Sequence, residues 1–161
     1  MLREEILKNI EKDSRVDIHE LAVRLGASEE EVGSQMKQME QEGIICGYHT
    51  MIDWEKTEVE SVTALIEVRC TLQRGQGFDR IAERIYQYPE VRSVYLISGA
   101  YDLLVTLEGR SIREVSSFVS DKLSTMENVL STATHFILKK YKDHGTIMAA
   151  PGVDERQVIT P

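Results

Sequence analysis

Residues 18–37 read IHELAVRLGASEEEVGSQMK, and their spacing decides the fold of the first third of the chain. Ile18, Leu21, Ala22 and Leu25 fall on one face of a short helix, and Val32, Met36 and Met39 on one face of the next. Ala22 is small where a second helix would cross the first. Gly26, four residues on, suits a turn needing positive φ, and Val32, six further, is a branched plug for the shared core. Ser28-Glu29-Glu30-Glu31 is a capping box, with the Ser28 hydroxyl placed to accept from the Glu31 amide. The pattern is that of a helix-turn-helix.

Working outward, Leu2, Ile6, Leu7 and Ile10 predict a preceding helix that Asp13-Ser14 ends. Beyond Gly43, the stretch Ile44 to Ile52 reads as extended, with Gly47 between its apolar parts, as a wing-like ribbon would. Residues 1–53 are therefore expected to form a winged helix-turn-helix, and the polar, acidic residues 54–61 a linker.

From Val62 the period changes. Val62, Ala64, Ile66, Val68, Cys70 and Leu72 alternate as a half-buried strand. Phe78, Ile81, Ala82 and Ile85 return to helical spacing. Val91–Ile97 and Tyr101–Leu107 read as strands about a Gly99-Ala100 turn. Ser111 with Glu114 repeats the capping box before a helix carrying Val115, Phe118 and Val119, and Val129–Lys140 reads as a last strand. The order β-α-β-β-α-β over residues 62–142 predicts a ferredoxin-like sandwich, so the fold class is α+β. Two helices cover one face of four strands. Leu104, Leu130 and Phe136, or their strand neighbours, predict an apolar uncovered face that a second subunit would bury. The tail, residues 143–161, is rich in turn formers and reads as irregular, although Ile147-Met148 and Val158-Ile159 are apolar for a disordered segment.

The chain has 161 residues and a net charge of −8, with no apolar run near the ~18–20 residues of a membrane span. Its beginning lacks a signal-peptide core, and Cys46 and Cys70 stand alone, so a cytoplasmic location with reduced thiols and no membrane partner is expected. The four histidines show no metal-ligand spacing, and no serine or cysteine has a paired base in sequence. No catalytic residue, metal site or cofactor is expected. Gly75-Gln76-Gly77 reads as a simple turn rather than a phosphate cradle. Charge is uneven: residues 1–53 hold six Lys/Arg against twelve Asp/Glu.

Taken together, Ile6-Leu7, Arg15, Glu20-Leu21-Ala22, Gly26, Ser28, Val32, the run from Glu40 to Tyr48, Gly99-Ala100-Tyr101-Asp102 and Thr132-Ala133-Thr134 form an ordered set. In that set the chain resembles the Lrp/AsnC family of transcription factors, over residues 2 to about 142. The resemblance implies DNA binding by the first part, and amino-acid sensing and assembly into homodimers or octamers of four dimers by the second. It carries effector contacts onto Ser98, Gly99, Tyr101, Asp102, Thr132 and Thr134, where amides and hydroxyls would hold a carboxylate and Asp102 an α-ammonium. For double-stranded DNA the reading helix offers Ser28, Glu29, Glu30, Gly33, Ser34, Gln35, Lys37 and Gln38. Here the sequence departs from relatives, which commonly carry arginine at the position of Gln35. Lys37 is the only cation of the helix, and three glutamates fill its first turn. A second reading follows from that charge: an effector-binding or assembly protein whose helix-turn-helix no longer binds DNA strongly.

Overall fold

The computed structural model describes residues 1–71 and 77–148. It divides into two compact units, Met1–Ile52 and Asp53 onward. In the first, α1 (Leu2–Lys12), α2 (Ile18–Leu25) and α3 (Glu29–Gln41) enclose a core of Ile6, Ile10, Leu21, Ala22, Val32, Met39 and Ile45. The amides at the start of α2 are met by the Asp17 carboxylate, which accepts from His19 and Glu20 at 2.8 and 3.3 Å. Gly26 ends α2 at φ +65, and Ser28 caps α3 by accepting from the Glu31 amide at 3.1 Å. Ala22 and Val32 are both buried, as their spacing predicts.

The expected ribbon after α3 is not seen. Residues 44–52 form no strand. They are held instead at points: Ile44 and Ile45 donate to the Met39 carbonyl, Ile45 is buried, and Tyr48 donates its hydroxyl to Glu40 at 2.8 Å.

In the second unit a 3₁₀ turn (Trp54–Lys56) leads to a four-stranded antiparallel sheet in the order β2-β3-β1-β4. The strands are β1 (Val62–Cys70), β2 (Val91–Leu96), β3 (Leu103–Gly109) and β4 (Val129–Phe136). Two helices, α4 (Phe78–Tyr86) and α5 (Ile112–Phe118), complete the split βαββαβ order, and α5 runs on as a π-helical turn, Val119–Leu123. Ile81, Ile85, Val115, Phe118, Val119 and Leu123 pack on Ala64, Ile66, Val68, Leu103, Val105 and Leu107. Leu72 and the Gly75-Gln76 part of the glycine pair lie outside the described residues, as do the tail residues from 149.

The register corrects the expected open face. Phe136 pairs opposite Ala64 and packs toward the helices, because directly opposed residues share a face. Opposite parity puts Leu65, Glu67, Tyr95, Leu104, Thr106, Ala133 and His135 on the open side. That face is mixed rather than apolar, with His135 Nε2 at 3.2 Å from Glu67 Oε1. The third strand starts at Leu103, not Tyr101, since Tyr101 and Asp102 close the hairpin. The last strand ends at Phe136, not Lys140, and the tail opens with a small hairpin, β5 (Lys142–Asp143) with β6 (Thr146–Ile147). His144 at φ 42 and Gly145 at φ 82 make its turn.

Gly26→Ala forces a Cβ into the left-handed region with nothing within 4 Å to clash, so the cost is conformational. A loss of about 1 kcal/mol is expected in urea unfolding of the helix-turn-helix unit, with the sheet unit unaffected.

Candidate functional site

All eight residues assigned to DNA reading are exposed or half-buried along α3. Glu30, Ser34, Lys37 and Gln38 recur at helical spacing and share one face. Glu29 is turned to another use: its Oε1 lies 2.7 Å from His19 Nδ1, tying the first turn of α3 to the first turn of α2. The Glu29 carboxylate holds the His19 imidazole above its ordinary pKa, with Asp17 and Glu20 adding to the effect. Three of the six cations of this unit are engaged locally. Arg3 is paired with Glu42, Lys8 bonds Glu5 at 2.7 Å, and Arg24 bonds Asn9 at 2.9 Å. No sequence signature joins residues 19 and 29, ten apart; only the crossing angle of two helices does.

The residues assigned to effector binding gather at one end of the sheet. Val68 is their meeting point. Asp102 donates its amide to the Val68 carbonyl at 3.0 Å, and Thr132 pairs with Val68 from the other side. Thr134 lies one pleat away, opposite Ile66, and Thr132 Oγ1 is 3.3 Å from Ser124 Oγ. Ile97 donates to the Asp102 carbonyl at 2.8 Å and closes a loop of Ser98, Gly99, Ala100 and Tyr101. Among the described residues, the four amides of that loop make no hydrogen bond. Asp102 is not a free acid at this end: its Oδ2 accepts from the Cys70 amide at 2.7 Å, stitching the hairpin to the end of β1. Burial, and then the Asp102 charge, push the Cys70 thiol up to about 11. Among the described residues no group of three His, Cys, Asp or Glu could hold a metal ion, and no helix is long and apolar enough to cross a membrane.

Both units match known domains. Residues 2–45 match the winged helix-turn-helix DNA-binding model, and residues 63–147 match the Lrp/AsnC ligand binding domain. The chain belongs to the Lrp/AsnC family of transcriptional regulators. It is 48% identical over 158 residues to YugG, an HTH-type transcriptional regulator of Bacillus subtilis, covering 98% of this chain and 95% of that protein. A transcriptional regulator of Neisseria meningitidis, solved as a complex with L-Met, is 25% identical with a TM-score of 0.69, over 88% of this chain and 91% of that one. The fold is shared with the feast or famine regulatory protein of M. tuberculosis, solved with L-methionine, at 23% identity and a TM-score of 0.74, over 92% and 97%. As an Lrp/AsnC regulator, the chain combines a DNA-binding helix-turn-helix with a ligand-binding domain.

Two measurements check this geometry. Because the folded pKa of His19 is raised, its pairing with Glu29 is complete below about 6.5 and is lost as pH climbs through the raised value. In NMR titration His19 is expected to titrate above the ordinary imidazole range, and Glu29→Gln to return it toward that range. In a Cys46→Ser background, alkylation of Cys70 is expected to accelerate only as pH approaches about 11. Asp102→Asn keeps an acceptor for the Cys70 amide but removes the charge, so it should shift that profile to lower pH.

Proposed function

We propose that the chain regulates transcription in the cytoplasm as a homodimer whose DNA binding responds to an L-amino acid held at the 97–102 hairpin. The four unbonded loop amides carry this reading. Successive free amides at a tight turn suit a carboxylate, which accepts several at once. Beside them, Asp102 spends Oδ2 on Cys70, and its Oδ1 makes no hydrogen bond among the described residues, leaving one oxygen for an α-ammonium. Thr132 and Thr134 would border the same end, with Ser98, Gly99 and Tyr101 on the loop. Asp102 thus has two duties in this reading, and its removal loosens the loop as well as the contact.

Dimer formation would use the open sheet face, with Leu65, Leu104 and Tyr95 as its apolar anchors and Glu67–His135 as its polar part. DNA would be read by the exposed face of α3, with Gln35 or Gln38 suited to adenine and Glu30 to cytosine N4.

Calorimetry of the full chain against a panel of L-amino acids and their carboxamides tests the effector. Binding of at least one acid, with at least tenfold weaker binding of its amide, is expected; no binding by any acid would overturn amino-acid sensing. For assembly, Leu104→Glu should shift sedimentation from dimer or octamer to monomer with the fold kept, whereas Phe136→Glu should unfold the sheet unit. A wild-type monomer at micromolar concentration would reject the dimer.

A further inference from the structure

Lys139, Lys140 and Lys142 are three cations in four residues, and no other window of four in the chain holds three Lys/Arg. They follow β4 directly. Ile137 donates its amide to the Thr63 carbonyl at 2.9 Å, so the lysines leave the sheet beside the start of β1. The segment is ordered by its own contacts. Lys142–Asp143 pairs with Thr146–Ile147, and the Met148 amide donates to the Tyr141 carbonyl at 3.0 Å. Lys139 Nζ sits 5.2 Å above the Tyr141 ring. Lys139, Tyr141 and Lys142 are exposed.

Their charges are left largely unspent. Asp143 stands 3.9 Å from Lys140 and is bonded more closely by His144, at 2.7 Å. Among the described residues Lys139 and Lys142 have no carboxylate partner, and the linker acids Glu55, Glu58 and Glu60 pair with none of the three. The DNA-reading unit has the opposite problem. With twelve acids, and with Arg3, Lys8 and Arg24 tied locally, it leaves Lys12, Arg15 and Lys37 for phosphates. Affinity for duplex DNA comes in large part from cations that displace counterions from phosphates, and a duplex carries one such charge per ~1.7 Å of axis.

We infer that Lys139, Lys140 and Lys142, presented by the β5–β6 hairpin, are a second DNA-backbone contact on the ligand-binding domain, supplying cations that the helix-turn-helix lacks. The hairpin and the Tyr141 ring limit the freedom of the lysines before binding, which reduces the entropy lost on contact. Phosphates carry no base identity, so this contact raises affinity and lengthens the footprint without changing which bases are preferred. The acidic helix-turn-helix of a second copy is the competing occupant. The sedimentation readout below separates that occupant from DNA.

The test uses the full chain and the duplex upstream of its own gene, with fluorescence anisotropy over a salt series. Changing Lys139→Gln, Lys140→Gln and Lys142→Gln together should weaken low-salt affinity by an order of magnitude or more. It should also flatten the plot of log K against log salt by about 2 to 3, at ~0.9 per phosphate. Preference among competitor duplexes should not change, and the triple Lys→Arg variant should keep the wild-type slope. If the glutamine variant melts early, the pair Lys139→Gln and Lys142→Gln leaves the Lys140–Asp143 contact in place and should flatten the slope by about 1 to 2. An unchanged slope in a folded variant overturns the inference. An unchanged slope with altered sedimentation assigns the lysines to a second copy instead. Wild-type protein that binds no duplex at low salt removes the DNA reading itself, and the inference with it.

Discussion

Strand β1 has a neighbour on each side, and its two-residue alternation assigns nearly every side chain of the sheet. Ala64, Ile66 and Val68 have no exposure, and the register carries that assignment sideways to Leu107, Val105 and Leu103 and to Phe136, Thr134 and Thr132. A slip of one residue would send three core side chains to the open face and bring Leu65, Glu67 and Arg69 under the helices. Burying Glu67 there, away from His135, would cost several kcal/mol. The same alternation decides what the sheet offers to a partner: Leu104 and Tyr95, not Phe136. The far end of β1 is also where Asp102 attaches, so the geometry of the loop is inherited from the register of the strand.

Much of this was legible in the sequence because it depends on local rules. The Ala22–Gly26–Val32 spacing, the Ser28 and Ser111 caps and the strand alternation all act within about ten residues, and each appears where the pattern puts it. The missed features are those set by what lies across the fold. Phe136 and Val129–Ile137 show apolar residues at both parities, so the sequence cannot say which parity meets a helix; pairing with Ala64 does. Residues 44–52 have strand-like composition but form no strand, and are held by the Met39 carbonyl and Glu40 instead. The Asp102–Cys70 bond spans 32 positions, and nothing in either residue announces the other. The Asp17 cap is different: an aspartate just before an apolar stripe is a local signal, and it could have been read.

The acids of α3 are less of an obstacle to DNA than their count suggests. Glu29 faces His19 rather than solvent alone, Glu31 belongs to the cap turn, and all three lie where a helix dipole favours negative charge. What they do not supply is cations, and no local pairing creates any. A regulator with this helix must gain phosphate contacts from elsewhere in the chain or bind weakly. The charge of the first unit is therefore a question for the whole chain, not for α3 alone.

The two ends of β1 also bear on how an effector would act. Val62 marks the end that releases the lysine hairpin, while Cys70 marks the end with the open amides. Nine extended residues separate them by about 27 Å, through a strand hydrogen-bonded on both sides. A sheet fixed by three ladders and two helices is a poor lever, because packed cores shift between discrete arrangements rather than bending gradually. The open face, with its few apolar anchors and its Glu67–His135 and Arg92–Glu108 pairs, is less tightly determined than the helix-covered one. A ligand that alters how two such faces meet could change the spacing of the attached reading helices while leaving each sheet intact. Coupling through subunit arrangement is the route that this division of one strand favours.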